Sequence, residues 1–375
     1  MPSYVRAMKL GGCPSHRGFV VVIFFVWSVV FSTPHSQRPR LERTVRERRT
    51  ATLHIMQNMR KQDHHRTTTS CSLPDGRRIS CEVHRSAATQ QPNAFTLVVL
   101  LHGMTERGTV FDAMAATIVE EEQELVASSR GLGAVVVVAP DRPGYGGSSP
   151  APDATPTSSA TEAGAYSYTY ADQARDLVYA LRSSVDVDKA AKVVLVGHSS
   201  GGPVALAVAC ELGGRAPVVL VGSDAEYALG TVPDPLPDLD AVLDMLPKFA
   251  DAPRELLGMS SAVEMEMDLT AYREVLRSAK HAHAGVKNDH RLERTPWNLD
   301  QDVLKRTQIV IVCGDEDPFI NEELVRGLAE LLPHAEVATF PHVGHFDLVL
   351  HPPTIKRVLL PVVARLLTQP PRGRM

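Results

Sequence analysis

Five short apolar runs, each closed by turn residues and separated by longer stretches of helical spacing, restrict this 375-residue chain more than any other feature. They are "FTLVVLLHG" (95–103), "AVVVVAP" (134–140), "KVVLV" (192–196), the run over 217–222 and "TQIVIVCG" (307–314). Uninterrupted β-branched runs of this length suit strands buried on both faces. Between them the spacing predicts helices over 109–128, 170–184 and 202–212, with a sixth strand over 335–340 and a closing helix over 354–367. Strands alternating with helices give a mostly parallel sheet covered on both sides, an α/β fold. Ahead of the first run, "CSLPDGRRISCEVHR" reads as two strands about a Pro-Asp-Gly turn. The Pro-, Ser- and Thr-rich tract 148–165 reads as a surface loop. Residues 224–308 lack clear strands and are too long for a simple crossover, so a mainly helical insertion is expected there.

Charge divides the chain in two. Residues 1–66 hold 12 Lys/Arg against 3 Asp/Glu, and the remainder holds 27 against 40, for a formal net charge of −4. An acidic body offers no basic footprint for a phosphate backbone, so no nucleic-acid partner is expected. In the basic front, the apolar run 19–31 follows Arg6, Lys9 and Arg17. As a helix it would rise only about 20 Å, which suits a signal-peptide core cleaved after Ser32 better than a spanning helix. A short membrane anchor, a mitochondrial presequence and a cytosolic start at Met56 or Met59 are the alternatives, with the secretory or membrane-anchored reading preferred. Residues 33–66 read as a basic, disordered linker. The five cysteines are odd in number and scattered. Cys71 and Cys81 flank the first turn and could face one another, although two unpaired strand residues is the simpler expectation. No ligand spacing for a metal is present; "HAH" at 281–283 reads as an exposed helix stretch.

Within "VVLVGHSSGGPVALAVA" (193–209), Gly197, Ser199 and Gly201 form Gly-x-Ser-x-Gly between a buried strand and a helix of small residues. Glycines two positions either side of the serine remove the Cβ atoms that would collide in so sharp a turn. A serine held out there needs a base, and the base needs an orienting acid. Asp315 and Asp317 follow one strand and His342 and His345 follow the next, which places both partner types at the same sheet edge in the order Ser, Asp, His.

From about residue 70 to 368 the chain resembles the α/β-hydrolase superfamily, in its serine-nucleophile branch with a helical cap. "LHGMT" resembles the His-Gly motif after the third strand, "PDRPGYGGS" (140–148) the loop after the fourth, "GHSSGG" the nucleophile elbow, "GDEDP" the acid position and "VGHF" the terminal histidine. The resemblance implies Ser199 as nucleophile, Asp317 as acid, His345 as base, and the backbone N–H groups of Met104 and Ser200 as oxyanion hole. It also implies a core over 67–223 and 309–368, with 224–308 as the helical cap. Asp315 is then expected to cap its turn, His342 to be a loop histidine, and Asp224 is an alternative acid position. His102 and Gly103 are expected to support the turn that orients Met104, and Asp141 with Arg142 to brace the 140–148 loop as a local charge pair.

The expected activity is hydrolysis of a small-molecule carboxylic ester or related acyl substrate, without cofactor or metal. "GYGGSS" lacks the last glycine of a dinucleotide fingerprint, which gives NAD no site. Met245, Met259, Met265 and Met267 in the cap suit either ordinary packing or an acyl chain. Glu264, Glu266 and Asp268 suit a solvated helix face, or the amine of a peptide if the chain is an aminopeptidase. A non-catalytic binding protein of the same fold is the reading from another class, and membrane association through residues 19–31 is compatible with each.

Overall fold

Successive residues of a strand face opposite sides of its sheet, so a strand buried on both sides must supply two cores at once. That division organises the molecule. In the computed structural model the described residues are 64–86, 95–121, 134–152, 168–223, 258–260, 273, 283–293 and 296–369. Eight strands form one sheet: β1 (His64–Ser72), β2 (Arg78–Ser86), β3 (Phe95–Leu101), β4 (Ala134–Pro140), β5 (Lys192–His198), β6 (Val218–Val221), β7 (Ile309–Gly314) and β8 (Glu336–Phe340). The helices flanking it are α1 (Asp112–Glu120), α2 (Tyr170–Val185), α3 (Gly201–Glu211), α4 (His283–Leu292), α5 (Gln301–Arg306), α6 (Glu322–Leu331) and α7 (Leu360–Thr368).

Strand order is β1-β2-β4-β3-β5-β6-β7-β8. β1, β2 and β4 pair antiparallel and the other neighbours pair parallel. Leu97, Val99, Leu101, Leu195, Leu220 and Ile311 point to the face covered by α2, α3 and α6. Their neighbours Val98, Leu100, Val194, Val196, Val219 and Val310 point to the face covered by α1 and α7. This alternation is why the runs read as unbroken: every position is buried, on one side or the other. α2 begins at a capping box in which Thr169 accepts from the Asp172 amide while the Asp172 carboxylate accepts from the Thr169 amide.

β3 and β5 lie side by side, yet the chain leaves β3 toward β4 on one flank and leaves β5 toward β6 on the other. Such a reversal opens a crevice at the carboxyl ends of the two strands. The turns after β3 and β5 hold Met104 and Ser199.

Some expected boundaries shift. β1 starts at His64, inside the stretch read as linker, because His64 to Ser72 finds a continuous register with β2, from His64↔Ser86 to Ser72↔Arg78. The helix expected over 109–128 opens as a 3-10 turn, Gly108–Phe111, and α1 ends at Glu120; residues 122–128 lie outside the described residues. The closing helix is interrupted by a π-helical turn, Ile355–Leu359, just ahead of Pro361. Proline has no N–H to return to the carbonyl four residues back, so a regular α-helix cannot run through that position unchanged. Cys71, Cys81, Cys210 and Cys313 are free thiols, and burial pushes Cys81 up to about 12.

Residues 1–63 lie outside the described residues, and with them the apolar run 19–31 and the expected linker up to residue 63. So do Asp224, His281, Met245, Met265, Met267, Glu264, Glu266 and Asp268. Among the described residues no helix is long and apolar enough to cross a membrane. Of the 224–308 segment, α4 and α5 are helical and residues 258–260 are irregular. Met259 is buried in the core on the α1/α7 side.

Candidate active site

Ser199 stands at the step from β5 to α3 with φ of +51°, left-handed backbone that a serine adopts only under constraint. The constraint is visible on either side. A Cβ on Gly201 would lie 2.2 Å from the Leu101 carbonyl oxygen, and one on Gly197 would lie 2.6 Å from the Gly201 carbonyl oxygen. The Ser199 N–H donates to Val221 O at 2.9 Å, and the Ser223 hydroxyl donates to Ser199 O at 2.9 Å. The turn is therefore stitched to the end of β6, and the side chain is left half-buried at the crevice.

The acid and base candidates arrive from β7 and β8. Asp317 is buried and accepts two backbone N–H groups at Oδ1, from Phe319 at 2.8 Å and Ile320 at 2.9 Å. Its other oxygen lies 2.7 Å from His345 Nδ1. With Oδ1 fixed by the backbone, Oδ2 fixes the imidazole: Nδ1 carries the proton and donates, so Nε2 is left with its lone pair. His345 is buried, packed edge-on against Phe319 and Phe346. A Cβ on Gly222 would lie 3.0 Å from His345 Nδ1 and 3.2 Å from Asp317 Oδ2, so this pair sits directly beside the end of β6, to which Ser199 is bonded. Among the hydrogen bonds of the described residues, none joins Ser199 Oγ to His345. Catalytic contacts commonly tighten only once substrate is bound.

The remaining acid and histidine candidates separate from this group. Asp315 accepts the His342 amide at 2.7 Å, and His342 is exposed, with Nδ1 2.9 Å from Glu316. The Glu316 carboxylate raises the His342 pKa.

The turn after β3 is built around a neutral histidine. The Arg142 N–H donates to His102 Nε2 at 3.0 Å, so Nδ1 holds the ring's proton and donates to Gly103 O at 2.8 Å. Because the Gly103–Met104 peptide is planar and trans, pinning its carbonyl also fixes the direction of the Met104 N–H. Among the described residues no backbone hydrogen bond occupies the N–H of Met104 or of Ser200. Burial, helped by Arg142, pushes the His102 pKa down to about 3 from 6.5. The unfolded chain takes up a proton at this histidine as pH falls below about 6.5, whereas the folded chain does not until about 3, so this contribution to stability is lost on acidification. Urea unfolding is expected to show it: between about pH 6 and 4 the parent should lose about 1.4 kcal/mol per unit more than His102→Asn. Equal slopes would mean the imidazole is not held neutral.

Asp141 and Arg142 do not form the expected local pair. Asp141 instead accepts the N–H groups of Gly108 and Gly147, each at 2.8 Å, and so shapes the 140–148 loop through the backbone. Arg142, fully buried, turns to Asp289 on α4 with contacts of 2.7 and 2.6 Å. Tyr145 Oη donates to the same carboxylate at 2.6 Å, and Arg142 Nη2 lies 3.4 Å from Ser200 Oγ. A buried guanidinium needs a full charge opposite it, and the neighbouring Asp141 is already committed.

Three further residues were not singled out by motif. Asp347 accepts the Gly344 N–H at 2.7 Å and the Ser260 N–H at 3.2 Å, tying the His345 loop to residues 258–260. Glu106 and His198 lie beneath the site, in contact with one another. An acid four residues beyond His102, and a histidine directly before Ser199, were the available signals.

Comparison with known proteins agrees with the architecture. A family model described as the alpha/beta hydrolase family matches residues 98–355. No curated protein matches the chain. Among solved structures, a thermophilic esterase from Thermogutta terrifontis is similar at 18% identity and a TM-score of 0.53, over 81% of this chain and 100% of its own. A putative aryl esterase from Burkholderia cenocepacia is similar at 17% identity and 0.56, over 81% and 100%. A bacterial membrane phospholipase A is similar at 16% identity and 0.53, over 94% and 98%. At such identities the likeness is one of fold.

Proposed function

This chain belongs to the alpha/beta hydrolase family, and from that premise we propose that it hydrolyses a carboxylic ester or related acyl substrate, with Ser199 as nucleophile, His345 as base and Asp317 as orienting acid. The observation that carries the reading is the 2.7 Å bond between Asp317 and His345, buried beside the strand end to which a left-handed Ser199 is tied. Esterases among the structural neighbours favour the same class. The small-molecule substrate approaches the half-buried side of Ser199, Ser200 and Met104.

In the proposed reaction, His345 Nε2 takes the Ser199 proton as Oγ bonds to the acyl carbon. Asp317 holds the imidazolium that results, in the orientation already set in the resting protein. The carbonyl oxygen gains negative charge between the N–H groups of Met104 and Ser200, where each donor is worth about a hundredfold to a thousandfold in rate. His345 then returns the proton to the departing alcohol. Water, activated by the same nitrogen, releases the acid and restores Ser199. No step draws on a metal or a cofactor.

A fluorophosphonate probe tests this directly. It is expected to label the folded protein once per chain, with the adduct mapped by peptide mass spectrometry to Ser199, and p-nitrophenyl esters of graded acyl length are expected to compete. A folded protein that takes no label, or takes it elsewhere, would refute the assignment.

A further inference from the structure

Beneath the site lies a buried pair that the proposed reaction does not use. His198 precedes Ser199 and is fully buried, and Glu106, also buried, comes from the turn after β3. His198 Nδ1 lies 3.1 Å from Glu106 Oε1 and 3.3 Å from Oε2. On its other side His198 Nε2 lies 3.2 Å from the main-chain oxygen of His345. A carbonyl only accepts, so that nitrogen carries a proton and donates. Glu106 Oε2 in turn accepts the Gly103 N–H at 2.7 Å. One unbroken line of hydrogen bonds therefore runs from the backbone of His345, through His198 and Glu106, to Gly103. It ends one residue before the Met104 N–H.

Burial alone would lower the pKa of His198, yet the Glu106 carboxylate raises it above 6.5. Burial would raise that of Glu106, yet His198 holds it below the usual carboxylate range. The surroundings complete the account of charge: His102 and Arg142 flank the pair on one side, and Asp289 and Asp317 act on it from farther off. Two opposite charges out of water and in contact form a stiff link, since separating them strands both. The link also has little room to shift. His198 stacks against His345 with ring centres 4.6 Å apart, and a Cβ on Gly103 would lie 2.9 Å from Ser199 Cβ and 3.2 Å from Glu106 Oε1.

We propose that Glu106 and His198 are positioning residues, a single buried strut that sets the spacing between the oxyanion amide of Met104 and the base His345. This rests on the serine-hydrolase reading above. The strut touches no substrate. It acts by holding two loops, one after β3 and one after β8, at the separation that a tetrahedral intermediate requires. Displacement of a reacting group by about 1 Å costs on the order of a hundredfold in rate.

The test uses the full chain and counts active sites by fluorophosphonate titration before any rate is quoted. Glu106→Leu, which removes the link, is expected to lower kcat per titrated site about 100-fold for a p-nitrophenyl ester, with KM within about threefold. Glu106→Gln keeps an acceptor for Gly103 and a donor for His198 Nδ1, and is expected to restore kcat to within about fivefold of the parent. The double variant Glu106→Leu/His198→Phe removes both charges together, so neither is stranded if a single variant fails to fold. Its loss is expected to match that of the larger single change and not the product of two. A role in stability alone would reduce the number of titrated sites or the Tm and leave kcat per site unchanged. That result, kcat per site within about threefold of the parent in both Glu106→Leu and the double variant, overturns the strut. A parent protein that takes no label at Ser199 overturns the hydrolase reading, and the strut with it.

Discussion

Ser199→Ala is expected to lower kcat for a p-nitrophenyl ester by about 10⁴-fold or more while leaving the protein folded. The proposed reaction has no other route to the acyl carbon, and removing a nucleophile that works as a unit with its base usually costs nearly everything the unit supplies. The residual rate, from the amides of Met104 and Ser200 and from binding alone, would still exceed that of water. Stability should change little, because the hydroxyl carries none of the bonds that hold the turn: those belong to the Ser199 N–H and carbonyl. Activity retained within tenfold, with a normal Tm, would show that the chemistry lies elsewhere.

The largest stability effect is expected at Asp289. Removing this carboxylate by Asp289→Ala leaves Arg142, fully buried, without its charge partner and takes the acceptor from Tyr145. Breaking a buried ion pair from one side costs about 3–5 kcal/mol, which corresponds to a fall in Tm on the order of 10 °C. Replacing both partners, as in Arg142→Met/Asp289→Leu, strands no charge and is expected to recover most of that loss, although Tyr145 Oη still lacks its acceptor. A double variant no more stable than Asp289→Ala would mean that the pair itself, and not the stranded cation, is what the fold depends on. The same change is expected to reach the active-site region, because α4 is fastened to the core through a residue that also lies 3.4 Å from Ser200 Oγ.

What the sequence made legible follows from range. Strands such as Ala134–Pro140 announce themselves because each residue is buried on one side or the other, so local composition carries the answer. The elbow is legible for a similar reason: the collisions at Gly197 and Gly201 involve the turn and its immediate neighbours. The Asp317–His345 bond joins residues whose placement at consecutive strand ends the topology fixes in advance. Arg142 shows where this stops. Its true partner lies 147 residues away on an inserted helix, and nothing in sequence separates Asp289 from the other acids there, whereas Asp141 stood next to it and was taken as the mate. The Glu106–His198 contact spans 92 residues between two loops and has the same difficulty. The start of β1 was hidden for a different reason: His64, His65 and Arg66 are polar residues at a sheet margin, where pairing with β2 rather than burial makes the strand.

The π-helical turn at Ile355–Leu359 has a further consequence. Ile355, Leu359, Val363 and Leu367 repeat every fourth position and all are fully buried, a cadence that an ordinary helix of 3.6 residues per turn would carry progressively off the core. The wider coil keeps them in phase. Excising one residue there would let the segment tighten to regular winding and swing everything upstream by about 100° relative to α7. The loop bearing His345 begins only ten residues earlier, so the count of residues in this tail acts as a gauge for where the imidazole comes to rest.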